Sequence, residues 1–223
     1  MYALVESGSV TKLFPYPKGF TLNGNQYPQD IFYKWTKDEK EAIGIYEVET
    51  DSTNYKDEKW YINTNESFAF ANGKVTKSWG TATAKAHADS LYTSQDKTDG
   101  LIPEDKDVGD VKQEGLKTIL IKHVKAQAAG ILTETDWYVV RKADAGTAVP
   151  SSITNHRAAV RTKAAEMETA ITNASDTPAL ETLYKYTEQE DGSITRPLGE
   201  LPTLESKCLL FLEQIQFQIQ DIM

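Results

Sequence analysis

One cysteine, Cys208, stands in 223 residues, so no disulfide can close within the chain and a soft-metal site has no thiolate pair to build on. Its apolar neighbours suit a small buried side chain. No apolar run reaches the ~20 residues that a membrane-crossing helix needs. Residues 1–20, with Glu6, Lys12 and Lys18 amid short alternations, lack the basic start and unbroken apolar stretch of a secretory signal. Basic residues are in deficit: 24 Lys and Arg against 33 Asp and Glu leave a net charge of −9. The deficit recurs in residues 1–90 (10 basic, 12 acidic), 91–149 (8, 10) and 150–223 (6, 11). Nucleic-acid binding is therefore not expected, because its affinity comes from cations that replace condensed counterions on phosphates. The glycines occur singly, in neither a dinucleotide nor a P-loop pattern, and no Gly-x-Ser-x-Gly elbow occurs. His87, His123 and His156 are too scattered for a zinc triad. The acidic pairs Asp105/Asp107 and Glu188/Glu190 lack the twelve-position layout of a calcium loop. No catalytic, cofactor or metal residue is assigned, no cofactor is implied, and no enzymatic activity is expected.

What is present can build a core: 39% of residues are apolar and 26% charged, ordinary values for a folded domain. The expected fold class is α+β, with a small, mainly antiparallel β domain over residues 1–90, an acidic linker or loop over 91–111, and a helical C-terminal domain over 112–223. In the first part, Glu6-Ser7-Gly8-Ser9 separates the apolar segments 2–5 and 10–14, a first hairpin. Asn23-Gly24 marks a second turn, with Pro28 barred from a central strand position. Thr36 can cap a short helix before the strand IGIYEVET, and Asn72-Gly73 marks a type I′ hairpin. Phe68, Phe70, Val75 and Trp79 are the candidate core of that hairpin. Residues 93–111, TSQDKTDGLIPEDKDVGDV, offer few apolar side chains to bury.

From residue 113 the period changes. Leu116, Ile119, Leu120, Val124 and Ala128 predict a helix over about 113–129, with Gly130 placed to stop it. After Pro150, Ile153, Val160, Ala164, Met167 and Ile171 predict a second helix over 151–173. Thr177-Pro178 resembles a cap followed by a first-turn proline, opening a short helix to about 187. Between the two long helices lies a Thr135-Asp136-Trp137 corner, then a loop ending at Pro150. Thr135 or Asp136 can cap the reversal, the indole of Trp137 can lie over the helix junction, and an arginine can pair with Asp136. On that reading Trp137→Ala costs about 3 kcal/mol or more. Alternatively Trp137, with Arg157 and Arg161, forms a partner-binding hot spot.

Thr135, Asp136 and Trp137, followed by Pro150, His156, Arg157 and Arg161, resemble the phage tail assembly chaperone and tail-fibre assembly protein family, most clearly over residues 112–171. That family usually has Tyr at the position of His156 and often Trp at that of Ile153. The N-terminal half, YALVESGSV and FTLNGNQYPQDIFYKWTKDEKEAIGIYEV, resembles the leader of marine-phage tail proteins of this type. The resemblance implies a non-enzymatic protein that binds a tail fibre or neighbouring tail subunit, as a tail-associated adaptor or an assembly factor. The implied location is the virion or the host cytoplasm during assembly. The alternatives are a carbohydrate-binding module built on Trp35, Trp60 and Trp79, and a tail-associated hydrolase.

The C-terminal stretch is the most apolar: ten of the sixteen residues 208–223 are apolar, and only Glu213 and Asp221 are charged. Cys208, Leu212, Ile215, Ile219 and Ile222 form a three-four seam, although residues 214–220 also alternate as a strand would. Four large apolar side chains left in water would forgo roughly 6 to 12 kcal/mol. Leu212, Ile215, Phe217, Ile219 and Ile222 are accordingly candidate contacts to another chain, in a homo-oligomer or a hetero-assembly.

Overall fold

The structure, a computed structural model, describes residues 1–204. The class is α+β, and the chain divides into two compact units, Met1–Lys85 and a second beginning at Ala86.

In the first unit, β1 (Tyr2–Glu6) and β2 (Ser9–Phe14) form a hairpin, as do β3 (Phe20–Leu22) and β4 (Asn25–Tyr27). The helices α1 (Ile31–Lys34) and α2 (Lys37–Ala42) lead into β5 (Ile45–Thr50), and β6 (Tyr61–Ile62), β7 (Ser67–Ala71), β8 (Lys74–Ser78) and β9 (Thr83–Ala84) complete the unit. The three two-residue turns follow from their residues. Ser7-Gly8, Asn23-Gly24 and Asn72-Gly73 all have positive φ at both positions, the conformation whose twist matches a hairpin. Thr36 caps α2 reciprocally: its hydroxyl accepts from the Glu39 amide, and its own amide donates to the Glu39 carboxylate at 2.7 Å. The main sheet runs β2-β1-β5-β8-β7, antiparallel except where β5 pairs parallel with β8.

The core of this unit is Leu4, Phe14, Phe20, Ile31, Phe32 and Ile45. The ring of Phe14 lies 4.9 Å from that of Phe20 and 5.5 Å from that of Phe32, the offset geometry that aromatic quadrupoles favour. Of the candidate core residues in the third hairpin only Val75 is fully buried; Phe68, Phe70 and Trp79 are half-buried. β7 is an edge strand of the main sheet, and on it Phe70 rests on Tyr46 at 4.7 Å. Trp60 is buried, which leaves it no open platform for a sugar, and Trp35, half-buried, packs at 89° against Tyr27.

The second unit begins earlier than the sequence suggests, and the acidic stretch belongs to it. Strand β10 (Ser90–Leu91) pairs with β11 (Val111–Gln113) around α3 (Ser94–Thr98). Of the two expectations for residues 91–111, a linker or a loop, the structure has the loop, and it is folded. Asp96, nearly buried, accepts from the Thr93 amide at 2.8 Å, the Thr93 hydroxyl at 2.7 Å and the Lys112 ammonium. The Lys112 bond and then the Thr93 bonds hold its carboxyl down to about 2, from the usual 3.8. Because the folded value lies below the unfolded one, this contribution is complete above about pH 4 and is lost as pH falls through 2. The Thr93 and Asp96 amide resonances should titrate with a midpoint near 2; a midpoint at an ordinary aspartate value would contradict the cluster.

Residues 86–89 also explain where the first long helix, α4 (Leu116–Thr133), starts. Its free N–H groups are met from that segment: the Gly115 amide donates to Asp89 at 2.7 Å, Leu116 to the Ala86 carbonyl and Lys117 to the His87 carbonyl. A Cβ on Gly115 would sit 2.3 Å from the Ala88 carbonyl carbon, so glycine is needed for that approach. These contacts place the unit boundary at 85/86 and not near 90. Gly130 does not end α4, which continues to Thr133. The segment after the corner is itself a helix, α5 (Asp136–Ala145), closed by Gly146 at φ 71°. Helix α6 (Ser151–Asn173) has the predicted bounds, and Ile153, Val160, Ala164, Met167 and Ile171 are all buried. On α4, Ile119 faces outward while the other four stripe residues are buried. Helix α7 (Thr177–Tyr184) is capped by Asp176, one residue before the expected Thr177, and ends at Tyr184 instead of 187. A small hairpin of β12 (Thr187–Glu188) and β13 (Ile194–Thr195) follows. Leu212, Ile215, Phe217, Ile219 and Ile222 lie outside the described residues.

Candidate functional site

The Thr-Asp-Trp corner is the most organised polar arrangement in the second unit. Arg157 occupies a position of the α6 stripe that its spacing from Ile153, Val160 and Ala164 would give to an apolar side chain, and it is 9% exposed. Its guanidinium reaches the end of α4. One nitrogen donates to the Leu132 carbonyl and to the Thr135 hydroxyl, both at 2.7 Å, and the other meets Asp136 at 2.8 Å. Thr135, buried, donates in turn to the Leu132 carbonyl at 3.0 Å. A helix C-terminus has carbonyls without intrahelical donors and a partial negative charge, and Arg157 answers both while its carboxylate partner opens α5. The expected arginine–Asp136 pair is present. Arg157 itself is a structural tie and not a free partner contact, which corrects its assignment as a hot-spot residue. Arg161, one turn on, is exposed, and its guanidinium donates to the Arg157 carbonyl at 3.4 Å.

Trp137 is not the buried aromatic of the corner. Tyr138 is, at 8% exposure, whereas Trp137 is 45% exposed. The reason is the helix: on α5 neighbouring residues point about 100° apart, so only one of the two rings can turn inward. The Trp137 ring lies 4.2 Å from that of Tyr138, and Arg141 stacks over both, at 4.5 Å and 5.5 Å. Val139 and Val140, at 44% and 64% exposure, extend the open apolar surface along the helix. The expectation of a large stability loss on truncation is corrected accordingly. Trp137→Ala should cost under about 1 kcal/mol, mainly the cation–π contact. A thermal melt followed by circular dichroism checks this, and a loss of several kcal/mol would show the ring to be core.

The sequence pattern singles out Trp137 but places Tyr138, Val139 and Val140 in the loop after the corner. The signal was available in Asp136, Val140 and Ala143 falling at helical spacing before Gly146.

Elsewhere, an open groove of about 340 Å³ lies between α4, α6 and the segment after β13, lined by Ile131, Met167, Leu201 and the Arg196 and Glu200 pair among others. Besides Asp96, the carboxyl groups held below their ordinary range are Glu39, Asp51 and Asp191, engaged locally by Thr36, Thr53 and Ser193, and Asp89, engaged by Gly115 and Thr118 at the start of α4. They do not converge on the groove. Among the described residues no three His, Cys, Asp or Glu side chains gather as a metal site, and no helix is long and apolar enough to cross a membrane. No protein-family model, curated protein or solved structure matches the chain.

Proposed function

We propose that this chain is a non-enzymatic protein of a phage tail, which binds a tail fibre or a neighbouring tail subunit. It serves as a tail-associated adaptor or as an assembly factor, in the virion or in the host cytoplasm during assembly. The observation that carries this reading is the α5 face: a tryptophan held half-open by a stacked arginine, beside two exposed valines, on a helix fixed at one end by the Arg157 tie and at the other by Gly146. A monomer gains nothing by exposing those side chains, while rigid Trp and Arg anchors lose little entropy on docking and dominate binding energies. The resemblance over residues 112–171 names the context and implies no catalytic residue. The apolar stretch 208–223 supplies a second attachment surface, to a further copy or to another tail protein.

Mass spectrometry of purified particles and of tail-assembly intermediates tests the reading. Stoichiometric presence in particles fits a retained adaptor, and presence in intermediates alone fits an assembly factor. Absence from both would contradict the proposal.

A further inference from the structure

One wall of the groove between α4, α6 and the segment after β13 lacks a side chain. Gln127, Gly130 and Ile131 line it from a single strip of α4. At Gly130 nothing lies within 4 Å of the place a Cβ would take, although an interior glycine weakens a helix relative to alanine. Ile131, the buried Met167 and Leu201 are the apolar residues of the lining. Its charged residues, Arg196 and Glu200, pair with each other, each of two guanidinium nitrogens meeting a carboxylate oxygen at 2.8 Å. The segment after β13 is held in place, since the Arg196 Nε donates to the Gly199 carbonyl at 3.1 Å and the buried Leu198 donates its amide to the Leu183 carbonyl at 3.0 Å.

We propose that this groove seats the chain's own residues 208–223, by about two of their large apolar side chains. That holds whether or not the chain serves a phage tail. Continuity of the chain fixes the occupant: Leu201 lines the groove and Cys208 follows seven residues later, a tether of at most about 25 Å at ~3.6 Å per residue. So short a tether gives the stretch an effective concentration of about millimolar, which the same stretch of a second copy would have to match in solution. The chemistry agrees, because residues 208–223 hold ten apolar side chains and only two charges, and the groove offers no charge that is not already paired. Its volume of about 340 Å³ admits roughly two large side chains, given ~150 Å³ for the space that one leaves when truncated. The other apolar residues of the stretch stay available for attachment to another chain. A small apolar ligand fits less well, because sites for such ligands bury most of the ligand's surface and this groove is open.

The test uses the full purified chain with p-benzoylphenylalanine in place of Gln127, an exposed residue of the groove. Isotope-labelled and unlabelled molecules are mixed and irradiated, and the cross-linked peptides are sequenced by mass spectrometry. The expected adduct joins residue 127 to a residue of 208–223 within one molecule. Gly130→Trp, which fills the gap, should lower its yield about tenfold, as overpacking a site does, and Gly130→Ala should lower it less. An unchanged circular-dichroism spectrum for each variant separates loss of the seat from unfolding. The same photoprobe at Ala165, exposed on the side of α6 away from Met167, should give no such adduct. Adducts joining a labelled to an unlabelled molecule would overturn the inference, as would adducts confined to residues outside 208–223 or no adduct at all. So would an equal yield from Ala165, or a yield unmoved by Gly130→Trp.

Discussion

Arg157→Ala should lower the stability of the second unit by about 3 kcal/mol, with loss of amide protection in α4 and α6. The variant leaves the Leu132 carbonyl without its charged donor, removes the donor to the buried Thr135 hydroxyl, which keeps its own bond to that carbonyl, and opens a space in the α6 stripe. Hydrogen bonds to a charged group contribute about 1.5–3 kcal/mol each when the alternative is an unpaired buried atom, and removing one member of a buried ionic cluster costs about 3–5 kcal/mol. Half of the ion pair is open to water, since the Asp136 side chain is 52% exposed. Asp136→Asn should therefore cost under about 1 kcal/mol. Urea unfolding followed at 222 nm compares the two. Equal losses would place the stabilisation in the ion pair, and a loss below about 1 kcal/mol for Arg157→Ala would show that the α4 terminus does not depend on the tie.

The second large effect belongs to the other unit. Phe14→Ala should cost about 3–5 kcal/mol, because the ring is wholly buried and touches Phe20 and Phe32 at one junction of β2, β3 and α1. Phe14→Leu should cost much less, under about 2 kcal/mol, since most of the volume is kept. Hydrogen exchange over β1, β2 and β5 checks both; protection unchanged by Phe14→Ala would mean that the core lies elsewhere. Truncating Phe68 on the edge strand β7 should have a smaller effect than either Phe14 variant, in line with its partial cover.

These predictions show where the sequence was legible. Several local signals match the structure: Ser7-Gly8, Asn23-Gly24 and Asn72-Gly73 as hairpin turns, Thr36 as a helix cap, and Ile153 to Ile171 as one buried stripe. The reading failed where long-range contacts decide. Nothing near residue 86 announces that its carbonyl will meet the first turn of a helix thirty residues on, nor that the acidic run around Asp96 is drawn together by Lys112. Gly130 lies inside a helix because packing of α4 on α6 outweighs the roughly 1 kcal/mol that an interior glycine costs.

The candidate site was legible in part. The Thr-Asp-Trp motif and its arginines were visible as a unit, and the pairing of an arginine with Asp136 follows from their chemistry. Which ring turns inward is not legible in the sequence, because that depends on the phase of α5, a segment whose pattern reads as a loop. The roles consequently exchange: Tyr138 and Arg157 hold the corner, and Trp137 is the side chain left open. Leu212, Ile215, Phe217, Ile219 and Ile222 remain expectations from sequence.

The most direct measurement is affinity purification of the tagged chain from infected cells, wild type beside Val140→Asp, with quantification of every phage-encoded polypeptide recovered. Val140 is 64% exposed, so the substitution alters the surface and not the core. The expected result is one tail component recovered near stoichiometry with the wild type and depleted about tenfold or more with the variant. Recovery of no other phage polypeptide, or equal recovery of a tail component by both forms, would contradict a function exercised by docking through the face of α5.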